Sequence, residues 1–329
     1  MLLRASLLAL VATLAACGGG GSSTPPTQTA AFDFSQPASA EVPAIAQAIK
    51  ARDLAARNVS VVFEDTSESA FVLRIFQHTV NGVPHYGAVT IPTFYGKKLP
   101  VVVELDGLAD DNPPLDVARK LRGLGSQLQS AIFVQPAFRG RSLQYAGRSW
   151  TAGGDFCDAF DGATDDTMAL LNVLQASEPA ADMSRVLVRG GSRGGSVALL
   201  LGQRDARVTR VAAGSAPVDF YRADAAAGYG AFYQCQFIKG KTPNQSRQAM
   251  ISASALHFPM LKSVTKVYLD HGGADDTVPL QNAIEMNKRL LADGVSVDFV
   301  TYSGAGHDLG AVAAYRDRQS AIFNAFVSP

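Results

Sequence analysis

One serine of the chain lies in a sequence pattern that is typical of a catalytic nucleophile. The stretch Gly190-Gly191-Ser192-Arg193-Gly194-Gly195 contains the only Gly-x-Ser-x-Gly pattern of the 329 residues. The apolar run Val186-Leu187-Val188 precedes it and a helical pattern follows from Ser196, which is the strand–turn–helix context that this motif requires. Small neighbours permit a sharp turn that exposes the hydroxyl of Ser192 at the start of a helix. We expect Ser192 to be a nucleophile; the alternative is a glycine-rich turn without chemistry.

The chain also contains residues that could activate such a serine, which needs a base and a carboxylate that orients the base. His307 follows the last apolar strand in a glycine-containing loop, and Asp275 lies in the loop that begins at His271. We expect His307 to be the base and Asp275 the acid, because serine, aspartate and histidine then follow in the chain order of α/β-hydrolases. Asp276 is the alternative acid and His271 the alternative base. The remaining histidines are expected to be structural, namely His78, His85 and His257.

Three motifs resemble the catalytic domain of the prolyl-oligopeptidase family of serine hydrolases, and the resemblance runs from about residue 80 to the C-terminus. They are Gly-Gly-Ser-Arg-Gly-Gly, His-Gly-Gly-Ala-Asp-Asp-Thr-Val-Pro and Gly-Ala-Gly-His. In the family pattern His-Gly-x-x-Asp-x-x-Val-Pro the aspartate is the triad acid, and it corresponds to Asp275. The resemblance implies an α/β-hydrolase fold and acyl transfer through a covalent intermediate. In that reaction Ser192 attacks a carbonyl carbon and His307 accepts its proton.

The negative charge that develops on the carbonyl oxygen needs hydrogen-bond donors. The backbone N–H of Arg193, the residue after the serine, is one expected donor. The family usually supplies the second from a tyrosine hydroxyl or a His-Gly-Gly turn, whereas this chain has Asp106-Gly107-Leu108 at that place. An ionised carboxylate only accepts hydrogen bonds. We therefore expect Asp106 to point away and the backbone N–H of Leu108 to be the second donor.

The elements that must position these residues follow from the apolar pattern. Val59–Phe63 and Phe71–Phe76 are β-rich, and Asn81-Gly82 is a strong hairpin signal, so we expect the antiparallel start of a mixed sheet. From residue 99 onward, apolar strands alternate with amphipathic helices, which indicates a mostly parallel central sheet with helices on both faces. The helices are expected at about 115–128, 164–176, 194–203, 279–292 and 308–326. Ligands of such sheets bind beyond the carboxyl ends of the strands, where the three candidate residues are expected.

The N-terminal residues have the pattern of an export signal. Residues 1–16 combine one charge with an apolar stretch that is too short to span a membrane. The sequence Leu14-Ala15-Ala16-Cys17 resembles the lipobox of bacterial lipoproteins, which makes Cys17 the expected lipidation site. Residues 17–40 are expected to form a flexible tether, and residues 41–329 the catalytic domain. We expect an exported lipoprotein that faces the periplasm or the cell exterior and meets the membrane only through its anchor.

Composition excludes several other classes of function. The 29 Lys+Arg residues balance 29 Asp+Glu residues, so the chain lacks the basic excess of a nucleic-acid-binding protein. It contains neither a dinucleotide-binding motif nor a zinc-protease motif, and we expect no cofactor and no metal. With Cys17 lipidated, Cys157 and Cys235 remain as a pair in an oxidising compartment. Whether they form a disulfide is open, because the sequence does not fix their distance.

The expected substrate is a small-molecule ester or a short peptide. The stretch between the tether and the hydrolase motifs is too short for the propeller domain with which larger family members grip peptides, and no peptide-gripping acidic pair is visible. Ester hydrolysis is therefore slightly favoured over peptide hydrolysis. The aromatic-rich segment 220–260 is a possible cap over the site. A non-catalytic binding module on a hydrolase fold is the alternative from another class, and the oligomeric state is open.

Overall fold

The computed structural model describes residues 34–109 and 112–328. The expected signal peptide and Cys17 lie outside the described residues, as does most of the expected tether. The final part of that tether contacts the domain, because the ring of Phe34 lies 5.7 Å from the ring of Tyr221. Among the helices of the described residues, none has the length and apolar character that a bilayer span requires.

Twelve strands are present in the described residues, and nine of them form one sheet. The strands are β1 (Arg57–Asp65), β2 (Phe71–Val80), β3 (Val83–Pro92), β4 (Leu99–Leu105), β5 (Leu115–Asp116), β6 (Ile132–Ala137), β7 (Ser142–Tyr145), β8 (Arg148–Thr151), β9 (Ala181–Gly191), β10 (Val208–Gly214), β11 (Lys266–Gly272) and β12 (Val297–Tyr302). The large sheet has the order β1-β2-β3-β6-β4-β9-β10-β11-β12, and β5, β7 and β8 form a small second sheet.

The large sheet changes from antiparallel to parallel along its width. Strands β1, β2 and β3 pair antiparallel, and β3 also pairs antiparallel with β6. From β6 through β4, β9, β10 and β11 to β12 every pair is parallel. This arrangement confirms the antiparallel start and the mostly parallel sheet that the apolar pattern predicts, and with them the α/β-hydrolase fold that the resemblance implies.

Helices cover both faces of the parallel part, which is why its strands are apolar on both sides. The helices of the described residues are α1 (Glu41–Lys50), α2 (Val117–Leu124), α3 (Asp161–Ser177), α4 (Arg193–Arg204), α5 (Ala223–Gly228), α6 (Gly230–Tyr233), α7 (Pro243–Ala253), α8 (Gln281–Ala292) and α9 (Ala313–Val327). Helices α2 and α9 pack on one face, where Leu121 and Phe323 join the same apolar cluster as Val102 and Leu187. Helices α3 and α4 pack on the opposite face.

The segment 220–260, expected as a possible cap, forms α5, α6 and α7 between β10 and β11. Its aromatic side chains pack against the body of the domain, since the ring of Phe220 lies 4.4 Å from the ring of Phe160. A disulfide joins Cys157 to Cys235, whose Cα atoms are 5.3 Å apart, and so links this segment covalently to the residues before α3. The bond closes a loop of 78 residues, and a loop of that size corresponds to a stabilisation of about 4.5 kcal/mol if the entropy of the unfolded chain dominates.

Candidate active site

Ser192 lies on a strained turn between β9 and α4. Its backbone has φ 55° and ψ −124°, a conformation that side-chain-bearing residues rarely adopt. Its N–H donates to the carbonyl of Gly214 over 2.8 Å, which holds the turn against the neighbouring strand. A Cβ atom on Gly190 or Gly194 would overlap the carbonyl oxygen of Leu105, so the turn requires glycine at both places. The motif therefore produces the sharp, exposed turn that its sequence predicts.

Asp275 and His307 are in contact at the same edge of the sheet as Ser192. Asp275 lies in the loop after β11 and His307 in the loop between β12 and α9. The Nδ1 atom of His307 lies 2.9 Å from Oδ2 of Asp275. The other carboxylate oxygen, Oδ1, accepts the backbone N–H groups of Thr277 at 3.0 Å and Val278 at 2.8 Å. The carboxylate is completely buried and is aimed at the imidazole, which remains a quarter exposed.

The two alternative residues do not form an equivalent pair. His271 is completely buried, and its Nε2–H donates to the carbonyl of Val278 over 2.8 Å. Burial lowers the pKa of His271, which favours its neutral form. The side chain of Asp276 is exposed and lies next to the hydroxyl of Thr277. The geometry thus distinguishes Asp275 from Asp276 and His307 from His271.

Three polar groups around the turn have no partner in the described part of the chain. The Oγ atom of Ser192 makes no hydrogen bond there, to His307 or to any other group. The backbone N–H groups of Arg193 and Leu108 also donate none. The loop after β4 runs beside the serine, because a Cβ atom on Gly107 would lie 3.7 Å from the Cβ atom of Ser192. A serine hydroxyl and two backbone donors without an acceptor in the described residues therefore lie close together in space.

Asp106 interacts with cations of the domain. Its carboxylate forms ion pairs with Lys120 and, at 2.8 Å, with Arg141. Burial alone would raise the pKa of Asp106, but these two cations hold it below its usual range. The carboxylate is thus ionised and satisfied by its own partners.

The side chain of Arg193 makes contacts beside the turn that the sequence does not predict. Its guanidinium is buried, lies 4.6 Å from the centre of the Phe138 ring, and donates to the carbonyls of Asp106 at 3.2 Å and Gly107 at 2.7 Å. In a trans peptide the N–H points opposite to the C=O, so the bond to the Gly107 carbonyl also fixes the direction of the Leu108 N–H. The only signal in the sequence is an arginine between glycines at the start of an otherwise apolar helix.

These features define the class of the protein. A strained serine at a strand–helix turn and a buried aspartate–histidine pair at the same sheet edge are the arrangement of a serine hydrolase with an α/β-hydrolase fold. The chain belongs to the prolyl oligopeptidase family, whose family model matches residues 126–328.

Solved structures of esterases and peptidases share this fold. Acetyl xylan esterase 1 from Thermoanaerobacterium sp. JW/SL YS485 superposes with a TM-score of 0.67 at 16% identity, over 93% of this chain and 99% of that one. Acetyl xylan esterase from Paenibacillus sp. R4 gives a TM-score of 0.63 at 16% identity, over 88% and 95%. Pyrococcus horikoshii acylaminoacyl peptidase gives 0.58 at 17% identity, over 79% of this chain and 42% of that one. No curated protein matches the chain in sequence.

The contact between Asp275 and His307 generates a prediction with a matched control. In Asp275→Asn the amide oxygen still accepts the N–H groups of Thr277 and Val278, but the amide nitrogen faces Nδ1 of His307. The imidazole then carries its proton on Nε2 and cannot accept one from serine. We expect kcat for a nitrophenyl ester to fall on the order of 10³–10⁴-fold.

The control for this experiment is Asp276→Asn, which removes the same charge one residue further along the chain. Its kcat should stay within about threefold of the unmodified protein, because Asp276 does not contact the imidazole. An equal loss in both variants, or a larger loss in Asp276→Asn, would show that the structure pairs the wrong carboxylate with His307.

A second prediction follows from the buried guanidinium of Arg193. In Arg193→Met the side chain still covers the Phe138 ring but no longer holds the carbonyls of Asp106 and Gly107. We expect kcat to fall about tenfold or more with KM nearly constant, somewhat less than the roughly 10²–10³-fold loss of a whole oxyanion donor. Arg148→Met, at an exposed arginine of β8, is the control and should keep its kcat. Thermal unfolding of each variant verifies the fold, and unchanged kcat in folded Arg193→Met contradicts this role.

Proposed function

We propose that the protein hydrolyses small esters by acyl transfer through Ser192, with His307 as the base and Asp275 as the residue that orients it. The observation that carries the proposal is the 2.9 Å contact between His307 Nδ1 and the buried carboxylate of Asp275. It occurs at the sheet edge where the strained turn exposes Ser192. A neutral histidine that donates from Nδ1 presents a lone pair on Nε2, which is what a serine base requires.

The reaction then proceeds in two halves. Ser192 Oγ attacks the ester carbonyl carbon while Nε2 of His307 takes the hydroxyl proton, and Asp275 stabilises the imidazolium that forms. The tetrahedral intermediate collapses, the C–O bond to the alcohol breaks, and the alcohol leaves with the proton from His307. Water then attacks the acyl-serine with the same base. The acid is released, and the proton returns to Ser192.

Two backbone groups are proposed to stabilise the negative oxygen of the tetrahedral intermediate. They are the N–H of Arg193 at the start of α4 and the N–H of Leu108 in the loop beside it. Both lack an acceptor among the described residues, and the positive end of the α4 helix dipole favours an anion at this place. The guanidinium of Arg193, in turn, positions the loop that carries the Leu108 N–H.

An ester is favoured over a peptide for two reasons. The alcohol of an ester leaves more readily than an amine, so an ester needs less binding energy and less proton transfer from the site. The likeness to the Thermoanaerobacterium acetyl xylan esterase extends over 99% of that chain, whereas the likeness to the acylaminoacyl peptidase extends over 42% of its chain. Peptide hydrolysis is the rival because the family model is that of the prolyl oligopeptidase family.

Export with a lipid anchor on Cys17 is also proposed, with the periplasm or the cell exterior as its destination. The disulfide between Cys157 and Cys235 supports this, because such bonds persist in oxidising compartments and are rare in the cytosol.

The substrate class is tested with a panel of acyl donors and a nucleophile variant. Protein lacking residues 1–17 and its Ser192→Ala variant are assayed on nitrophenyl acetate, butyrate and decanoate and on aminoacyl and prolyl nitroanilides. We expect acetate and butyrate esters to be hydrolysed, the anilides to be stable, and the variant to lose at least about 10³-fold of its ester turnover. Anilide cleavage that disappears in the variant would replace the esterase by a peptidase. Equal activity of both proteins on every ester would contradict Ser192 as the nucleophile.

A further inference from the structure

A cavity of about 500 Å³ lies at the same edge of the sheet as Ser192, and none of the three candidate catalytic residues lines it. It lies on the face of the sheet covered by α2 and α9, and the ends of β4, β6 and β9 contribute to its wall. Gly190 and Gly191 form part of this wall. The cavity therefore begins one residue before the nucleophile, on the opposite side of the turn from α4.

The topology of the sheet favours a ligand at this position. β4 and β9 are neighbours in the sheet. After β4 the chain passes through α2 to β6 on one side, and after β9 it passes through α4 to β10 on the other. The strand order thus reverses between β4 and β9, and ligands of open α/β sheets bind in the crevice that such a reversal leaves at the carboxyl ends of the strands.

The charge of the cavity favours an anion. Four basic side chains line it, namely Arg119, Lys120, Arg189 and Arg316. Two of these cations have carboxylate partners, since Arg189 pairs with Glu104 and Lys120 shares Asp106 with Arg141. Arg119 and Arg316 form no ion pair within the residues that the structure describes, and the guanidinium of Arg316 donates only to the carbonyl of Gly310. The cavity therefore presents two solvent-exposed guanidinium groups that have no carboxylate partner in the described residues.

A buried amide adds a second requirement for the ligand. Gln135 is 2% exposed and lines the cavity. Its Oε1 atom is buried and has no hydrogen-bond partner in the described part of the chain. Such an acceptor costs free energy unless a donor satisfies it. A ligand that satisfies both requirements carries a hydroxyl group for Gln135 and a carboxylate for the arginines.

We propose that this cavity binds a hydroxylated organic anion of the sugar-acid type, with its carboxylate near Arg119 and Arg316 and a hydroxyl hydrogen-bonded to the amide group of Gln135. Since the cavity adjoins the turn of Ser192, the anion is either part of the ester substrate or a separate ligand that acts on the site. The idea that the anion is part of the substrate rests on the proposed esterase function. The idea that the cavity binds an anion does not rest on that function.

Binding is measured first without catalysis. D-glucuronate and D-glucose are titrated calorimetrically into Ser192→Ala protein at low ionic strength. We expect glucuronate to bind saturably to this protein and glucose to bind at least tenfold more weakly. When Arg119→Gln and Arg316→Gln are added to the Ser192→Ala protein, the affinity for glucuronate should fall at least tenfold. Gln135→Leu in the Ser192→Ala protein should weaken the binding of glucuronate by about fivefold. Arg148→Gln, outside the cavity, should bind glucuronate unchanged.

Two results overturn the proposal. One is the absence of saturable glucuronate binding to the folded protein, and the other is binding that the double arginine substitution leaves unchanged. Both are independent of turnover, so a failure of the esterase proposal does not affect them.

A kinetic comparison then distinguishes the two sources of the anion. Acetylated glucuronate and acetylated glucose are compared as substrates of the protein with Ser192 intact. If the anion is part of the substrate, kcat/KM favours acetylated glucuronate at least tenfold, and Arg119→Gln with Arg316→Gln removes this preference. If it is a separate ligand, free glucuronate changes the turnover of nitrophenyl acetate while the two sugar esters react equally.

Discussion

The close approach of the Leu105 carbonyl to Gly190 and Gly194 is the constraint on which the site depends. Only glycine fits at both places, because any Cβ atom would overlap that oxygen. This packing brings the end of β4 against the turn of Ser192, so the loop that carries the Leu108 N–H lies beside the serine. The guanidinium of Arg193 also holds this loop against the turn, because it donates to the carbonyls of Asp106 and Gly107. The strain of the turn is compensated by these contacts and by the buried helix α4 that follows.

A buried ionic cluster holds the loop that carries His307 in place. Asp270, on β11, accepts hydrogen bonds from the hydroxyl of Tyr302 at 2.8 Å, the guanidinium of Arg318 at 2.8 Å and the amide of Gln319 at 3.2 Å. These partners lie at the end of β12 and on α9, so the cluster fixes both ends of the loop that carries His307. A buried carboxylate is tolerated here because a cation and two further donors compensate it. The histidine loop is thus anchored to the strand that precedes the Asp275 loop.

The sequence predicts the turn, the nine strands of the large sheet and the carboxylate that contacts His307, because each leaves a local or periodic pattern. It does not predict the small sheet of β5, β7 and β8. It fails where an outcome depends on distances between remote segments. The apolar pattern predicts that the last helix begins at 308, but the structure has a 3₁₀ turn at Leu309–Ala311, and α9 begins at Ala313. The Oδ1 atom of Asp308 accepts the N–H of Gly310 and favours that turn. The Cys157–Cys235 bond and the contacts of the Arg193 side chain likewise follow from tertiary packing, which no spacing in the chain encodes.

The proposed mechanism requires the hydroxyl of Ser192 to be the nucleophile. Covalent labelling tests it most directly, because a fluorophosphonate reacts with a serine only when a base and an oxyanion site activate it. The protein is incubated with the probe, digested, and the modified peptide is sequenced by mass spectrometry. We expect one adduct, on Ser192, and labelling at least about tenfold slower in Asp275→Asn. An adduct on another residue, or no adduct in a folded protein that hydrolyses esters, would contradict the mechanism.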